Sequence, residues 1–75
     1  MTETDQNLVD ALKAFALAYP DHEDVAKVEK AAEEIERLAG LYYQDINNWD
    51  TRRLFVTAFD NGTRVLKRAS RTIPA

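Results

Sequence analysis

A serine–histidine pair has one possible source in this sequence, because Ser70 is its single serine and His22 its single histidine, and it has no cysteine. His22 stands in an acidic stretch and Ser70 near the other end of the chain, with no neighbouring group to orient a base. Nucleophilic catalysis is therefore not expected. Asp21-His22-Glu23-Asp24 contains metal-ligand side chains, but consecutive residues point in different directions around a helix start. Glu33-x-x-Glu36 lacks the histidine of the Glu-x-x-His pairs that build helical di-iron sites. With no thiolate and one imidazole, no metal and no cofactor are expected. The two glycines, Gly40 and Gly62, are too far apart to form a phosphate-binding loop. Glu29, Glu33 and Glu36 share one helical face and read as a solvated surface, since acid–base work needs a carboxyl held out of water. The protein is expected not to be an enzyme.

The cations carry more information. Residues 1–49 contain four basic and eleven acidic side chains, whereas residues 50–75 contain six basic and two acidic ones. Arg64, Lys67, Arg68 and Arg71 fall at i, i+3, i+4 and i+7, which makes them a ridge on one side of a helix. Arg52 and Arg53 add charge upstream. Such a ridge can be solvated, meet the Glu29/Glu33/Glu36 face, dock on an acidic protein surface, or lie along nucleic-acid phosphates. The sequence pI near 5.0 and the lack of flanking Asn, Gln or stacking aromatics make nucleic acid the lesser expectation.

Three amphipathic segments must position these groups. In the first, about residues 5–19, Leu8, Leu12, Phe15 and Tyr19 recur at helical spacing, Thr4 or Asp5 can cap it, and Pro20 ends it. The second, about residues 22–47, takes Asp21 as its cap and Glu23 and Asp24 as first-turn acids. It carries an unbroken 3-4 apolar pattern: Val25, Val28, Ala32, Ile35, Ala39, Tyr42, Ile46 and, past its end, Trp49. The pattern keeps phase across Gly40, so the helix is read as continuous although glycine costs about 1 kcal/mol there. In the third segment, about residues 51–72 after Asp50 as cap, Asn61-Gly62 invites a hairpin turn. Pairing Phe59 with Arg64 and Thr57 with Leu66 leaves neither hairpin face apolar. The helical stripe of Leu54, Phe55, Ala58, Phe59, Gly62, Val65, Leu66 and Ala69 does better, with a kink or break possible at Asn61-Gly62.

The expected fold is all-α, one small antiparallel three-helix domain spanning residues 1–75 with a long central helix, elongated and dimeric. A chain this short buries a marginal core, and without cysteine or metal a second chain is the remaining way to supplement it. The stretch Leu38-Ala39-Gly40-Leu41-Tyr42-Tyr43 is apolar nearly all round the helix, which points the same way. Leu41, Tyr42, Tyr43 and Trp49 are the expected apolar contacts with a protein, and Arg64, Lys67, Arg68 and Arg71 the expected electrostatic ones. The polar, acidic start does not resemble a signal peptide, no segment is apolar enough for a membrane span, and a cytoplasmic location is expected. Together these features point to a small helical homodimer that modulates or inhibits a larger protein partner. The alternative is a nucleic-acid-associated regulator using the basic ridge.

Overall fold

The computed structural model describes residues 2–73, and among them it contains three packed helices and no strand. Helix α1 spans Glu3–Ala18, α2 spans Val25–Gln44 and α3 spans Trp49–Arg71. The bundle measures 44 × 17 × 17 Å, with a Cα radius of gyration of 12.8 Å. A compact chain of this length would have about 11 Å, so the molecule is elongated.

Helices α1 and α3 start where polar side chains take up free backbone groups. Thr2 caps α1 by accepting the Asp5 N–H at 3.2 Å, and the Asp5 carboxylate in turn accepts the Thr2 N–H at 3.4 Å. The cap therefore lies two or three residues before Thr4 or Asp5, and Asp5 serves as the reciprocal third residue of a capping box. Helix α2 is shorter than the 22–47 pattern suggests. Residues 19–24 form turns in which the Tyr19 and His22 carbonyls accept the His22 and Val25 N–H groups. Asp24, not Asp21, is the cap residue, and its side chain makes no capping bond. At the other end the Asp45 side chain accepts the Asn47 N–H, and Asn48 caps α3 by accepting the N–H groups of Asp50 and Thr51. This run of Asp and Asn side chains competes with helical hydrogen bonding and stops α2 before Ile46. The longest helix is consequently α3, with 23 residues, rather than the central one.

Helix α3 runs unbroken through Asn61-Gly62, and the reason is packing. A β-carbon built on Gly62 would lie 2.6 Å from Ile35 Cδ1, with Leu12 and Leu8 methyls just beyond at 3.5 and 3.6 Å. Glycine here lets α3 approach the other two helices closely and is not a turn residue. Gly40 is exposed inside α2 and has open space beside it.

The core is a column of small and branched side chains: Val9, Leu12 and Phe15 from α1, Val28, Ala31, Ala32, Ile35, Leu38 and Ala39 from α2, and Phe55, Ala58 and Ala69 from α3. Alanines at five of these twelve positions match the bundle's narrow 17 Å section, because small residues let helices come together closely. At one end of the rod, Asp5 meets Tyr43, and Tyr42 stacks on Phe55 with ring centroids 5.4 Å apart. At the other, Phe15 packs edge-on against His22, and His22 reaches Thr72. Among the described residues no helix is long and apolar enough to cross a membrane.

Candidate functional site

The apolar surface left over by the core is concentrated at the α2–α3 end. Six of the eight large, exposed hydrophobic residues fall between positions 41 and 56: Leu41, Tyr43, Ile46, Trp49, Leu54 and Val56. Trp49, at 74% exposure, is the most open of the six. Leu41 and Leu54 are the chain neighbours of the stacked Tyr42–Phe55 pair, so they lie at the same level of the α2–α3 pair. Leu17 and Tyr19, the other two, belong to the opposite end.

The expected apolar contact residues thus separate into different roles. Tyr42 is half-buried against Phe55 and completes the core. Tyr43 is partly exposed, but its hydroxyl donates a 2.8 Å hydrogen bond to the Asp5 carboxylate, tying the last turn of α2 to the first turn of α1. Leu41 and Trp49 remain outside. The all-round apolar stretch of the sequence therefore resolves into buried Leu38 and Ala39, half-buried Tyr42, and exposed Gly40, Leu41 and Tyr43.

The bond to Asp5, and to a lesser degree desolvation, raise the Tyr43 phenol above its ordinary pKa near 10. The folded state therefore holds this proton more tightly than the unfolded chain does. The stabilisation is complete below the ordinary phenol pKa and is lost as pH rises through the folded value. In Tyr43→Phe, thermal melts from neutral to alkaline pH should show a lower Tm at neutral pH and a shallower alkaline decline than the wild type.

Four of the cations, Arg64, Lys67, Arg68 and Arg71, are exposed along α3, and none forms an ion pair among the described residues. The Glu29/Glu33/Glu36 face does not receive them in the same chain. Glu36 instead pairs with Lys13 of α1 at 2.9 Å, and that hydrogen bond raises the lysine pKa. Upstream on α3, Arg53 pairs with Asp50 at 3.0 Å, and the Arg52 guanidinium lies 5.1 Å from the Trp49 ring centroid. Trp49, Arg53, Val56, Asp60, Arg64 and Lys67 recur at 3 and 4 residues, so they continue one stripe opposite the buried Phe55, Ala58, Gly62 and Ala69. Arg53 and Val56, with Trp49, Asp50, Arg52 and Thr57, line a shallow open groove of about 380 Å³. Sequence reasoning missed Val56, Leu54 and Ile46 as surface residues. Val56 was recoverable, because it falls outside the apolar stripe of its helix.

His22 is committed to structure. Its Nδ1 accepts the Asp24 N–H at 3.0 Å, and its Nε2 lies 2.7 Å from Thr72 Oγ1, which itself donates to the Ala69 carbonyl at 2.9 Å. With Nδ1 accepting, Nε2 carries the proton and donates to Thr72, so the imidazole fastens the α1–α2 turn to the end of α3. Ser70 is exposed and is not the hydrogen-bond partner of His22. Among the described residues no cluster of three or more His, Asp or Glu side chains is placed to hold a metal ion. No protein-family model, curated protein or solved structure matches this chain.

Proposed function

We propose that this protein is a non-enzymatic protein-binding module, an antiparallel up-down-up bundle that works as a homodimer in the cytoplasm and modulates or inhibits a larger protein. The observation that carries this reading is that six of the eight large, exposed hydrophobic side chains fall between positions 41 and 56, at the α2–α3 end of the rod. Scattered apolar residues on a surface are ordinary, whereas a collection at one end of a small bundle marks a contact surface. Tryptophan and arginine side by side, as at Trp49 and Arg52, have the composition of interface hot spots. The antiparallel arrangement is supported by Asp5 meeting Tyr43 at one end and His22 meeting Thr72 at the other. The short turns between the helices support it too.

Leu41 and Leu54 are the positions to test for the larger partner. Both are about half exposed, so a charge there leaves the core intact. Tagged wild-type and Leu41→Glu/Leu54→Glu proteins with matching circular-dichroism melts would be used to co-purify proteins from the native host. A partner retained by the wild type should fall at least about tenfold in the variant, as for loss of an interface anchor. Equal recovery, or no retained partner, would remove the reading.

The unpaired cations of α3 favour one second reading, a sequence-neutral contact with nucleic-acid phosphates. Micromolar binding to random duplex DNA or RNA that weakens steeply with salt would support it. Absence of binding at low salt would end it.

A further inference from the structure

The outward face of α3 is complementary to itself, and we infer that two copies of this protein pair through it, helix against antiparallel helix, about a two-fold axis at Val56–Thr57. This inference rests on the homodimer within the function proposed above and names its surface and geometry. The key residues are Arg53 and Asp60. They are opposite in charge, both exposed, and seven residues apart on the same stripe of one helix. A two-fold axis midway between them sets Arg53 of each copy opposite Asp60 of the other. Two symmetry-related ion pairs result, separated by about 10 Å along the helix at about 1.5 Å rise per residue.

The same axis sets other exposed groups of the stripe opposite one another. Trp49 comes opposite the second copy's Arg64, so an indole that is 74% exposed gains a second guanidinium of the kind Arg52 already supplies at 5.1 Å. Val56, at 48% exposure, meets its own symmetry mate and the second copy's Thr57 at the centre, over the shallow groove that Trp49, Arg53 and Thr57 line. Lys67 and Arg68 come to the level of the second copy's α2–α3 turn, where Asp45 offers the opposite charge and Ile46 a surface for the lysine stem. Asp60 is the single acid in α3 beyond its first turn, and it has no ion-pair partner among the described residues. Opposite Arg53 of a second copy, it acquires one. The existing Arg53–Asp50 pair does not stand in the way, since both side chains are more than three-quarters exposed and free to rearrange.

A parallel pairing has no such consistency. It would place Arg53 against Arg53, Lys67 against Lys67 and Arg71 against Arg71 along the whole helix, and like charges at those positions oppose association. The antiparallel two-fold is thus selected by charge.

The test is a charge exchange read by sedimentation equilibrium and light scattering across micromolar to sub-millimolar concentrations, with circular dichroism confirming each fold. Wild-type protein should show a reversible species of twice 8.6 kDa. Arg53→Asp alone and Asp60→Arg alone each create two like-charge contacts per dimer and should weaken association about tenfold or more. The double variant Arg53→Asp/Asp60→Arg restores opposite charges across the axis and should return to within about threefold of the wild type, since double-mutant cycles isolate this pairing. A wild type that stays monomeric throughout would overturn both the homodimer and this geometry. A wild-type dimer unaffected by either single exchange, or not rescued by the double one, would overturn the geometry and leave the homodimer standing.

Discussion

Gly62→Leu should fold poorly, losing about 2–3 kcal/mol and lowering Tm by roughly 10–20 °C. At this point α3 lies against α2 and α1 with no room for a side chain. Even a single β-carbon would come within 2.6 Å of Ile35 Cδ1. Leucine gains nearly 1 kcal/mol of helix propensity over glycine, so an exposed mid-helix position would show stabilisation. The packing term opposes this and is larger, because Ile35 and Leu12 are fully buried and a whole leucine side chain must displace both. Gly40→Ala supplies the contrast. Its new methyl meets nothing within 4 Å, so the propensity gain of about 1 kcal/mol should appear undiminished as a raised Tm. A cycle with Ile35→Val, which deletes the obstructing methyl, sharpens the test. Gly62→Ala should be better tolerated in the Ile35→Val background than in the wild type, and chemical denaturation of the four proteins gives the coupling directly.

The two glycines also show what the sequence could and could not disclose. Both interrupt helical patterns: the apolar phase carries across Gly40 and made α2 legible as one helix, whereas at Asn61-Gly62 the phase favoured helix but left a kink or a break open. That one is exposed and the other wedged against Ile35 depends on which stripe each occupies, and for Gly62 the stripe already indicated the core. The third helix was readable for the same reason: the hairpin register leaves no apolar face, while the helical one does. The ends of the helices were not so readable. The 3-4 pattern runs on to Ile46 and Trp49, yet α2 stops at Gln44, because Asp45, Asn47 and Asn48 satisfy the backbone locally and turn the chain. Periodicity reports where a helix would be amphipathic, not where side chains outcompete its hydrogen bonds. Thr2-x-x-Asp5 had the pattern of a capping box and could have placed the start of α1. At the candidate surface, Leu41 was singled out by its place in a stretch apolar nearly all round the helix, and Trp49 by its place at the end of the 3-4 pattern; both are exposed. The hydrogen bond of Tyr43 to Asp5 could not be, since it joins residues 38 positions apart across the tertiary fold.

Leu12→Ala should cost about 3 kcal/mol, which is a large share of the roughly 4–11 kcal/mol available to a chain of this length. Leu12 is fully buried, sits 3.5 Å from where a Gly62 β-carbon would be, and is the middle member of the Val9-Leu12-Phe15 row with which α1 joins the core. Helix α1 contributes three apolar side chains to that core, against six from α2, so its attachment depends more heavily on each one. The ion pair of Lys13 with Glu36 is exposed and holds orientation more than it holds the helix down, which leaves one polar tie, Asp5 with Tyr43, at the start of the helix. The loss should therefore be uneven. Hydrogen exchange on Leu12→Ala should show α1 amides losing protection before those of α2 and α3, whose shared contacts around Ala31, Leu38 and the Tyr42–Phe55 stack are untouched. Uniform loss across all three helices would mean that the bundle opens as one unit and that α1 is not its weakest member. Because the Leu41–Val56 surface belongs wholly to α2, α3 and the turn between them, that surface should keep its shape in the variant while overall stability falls.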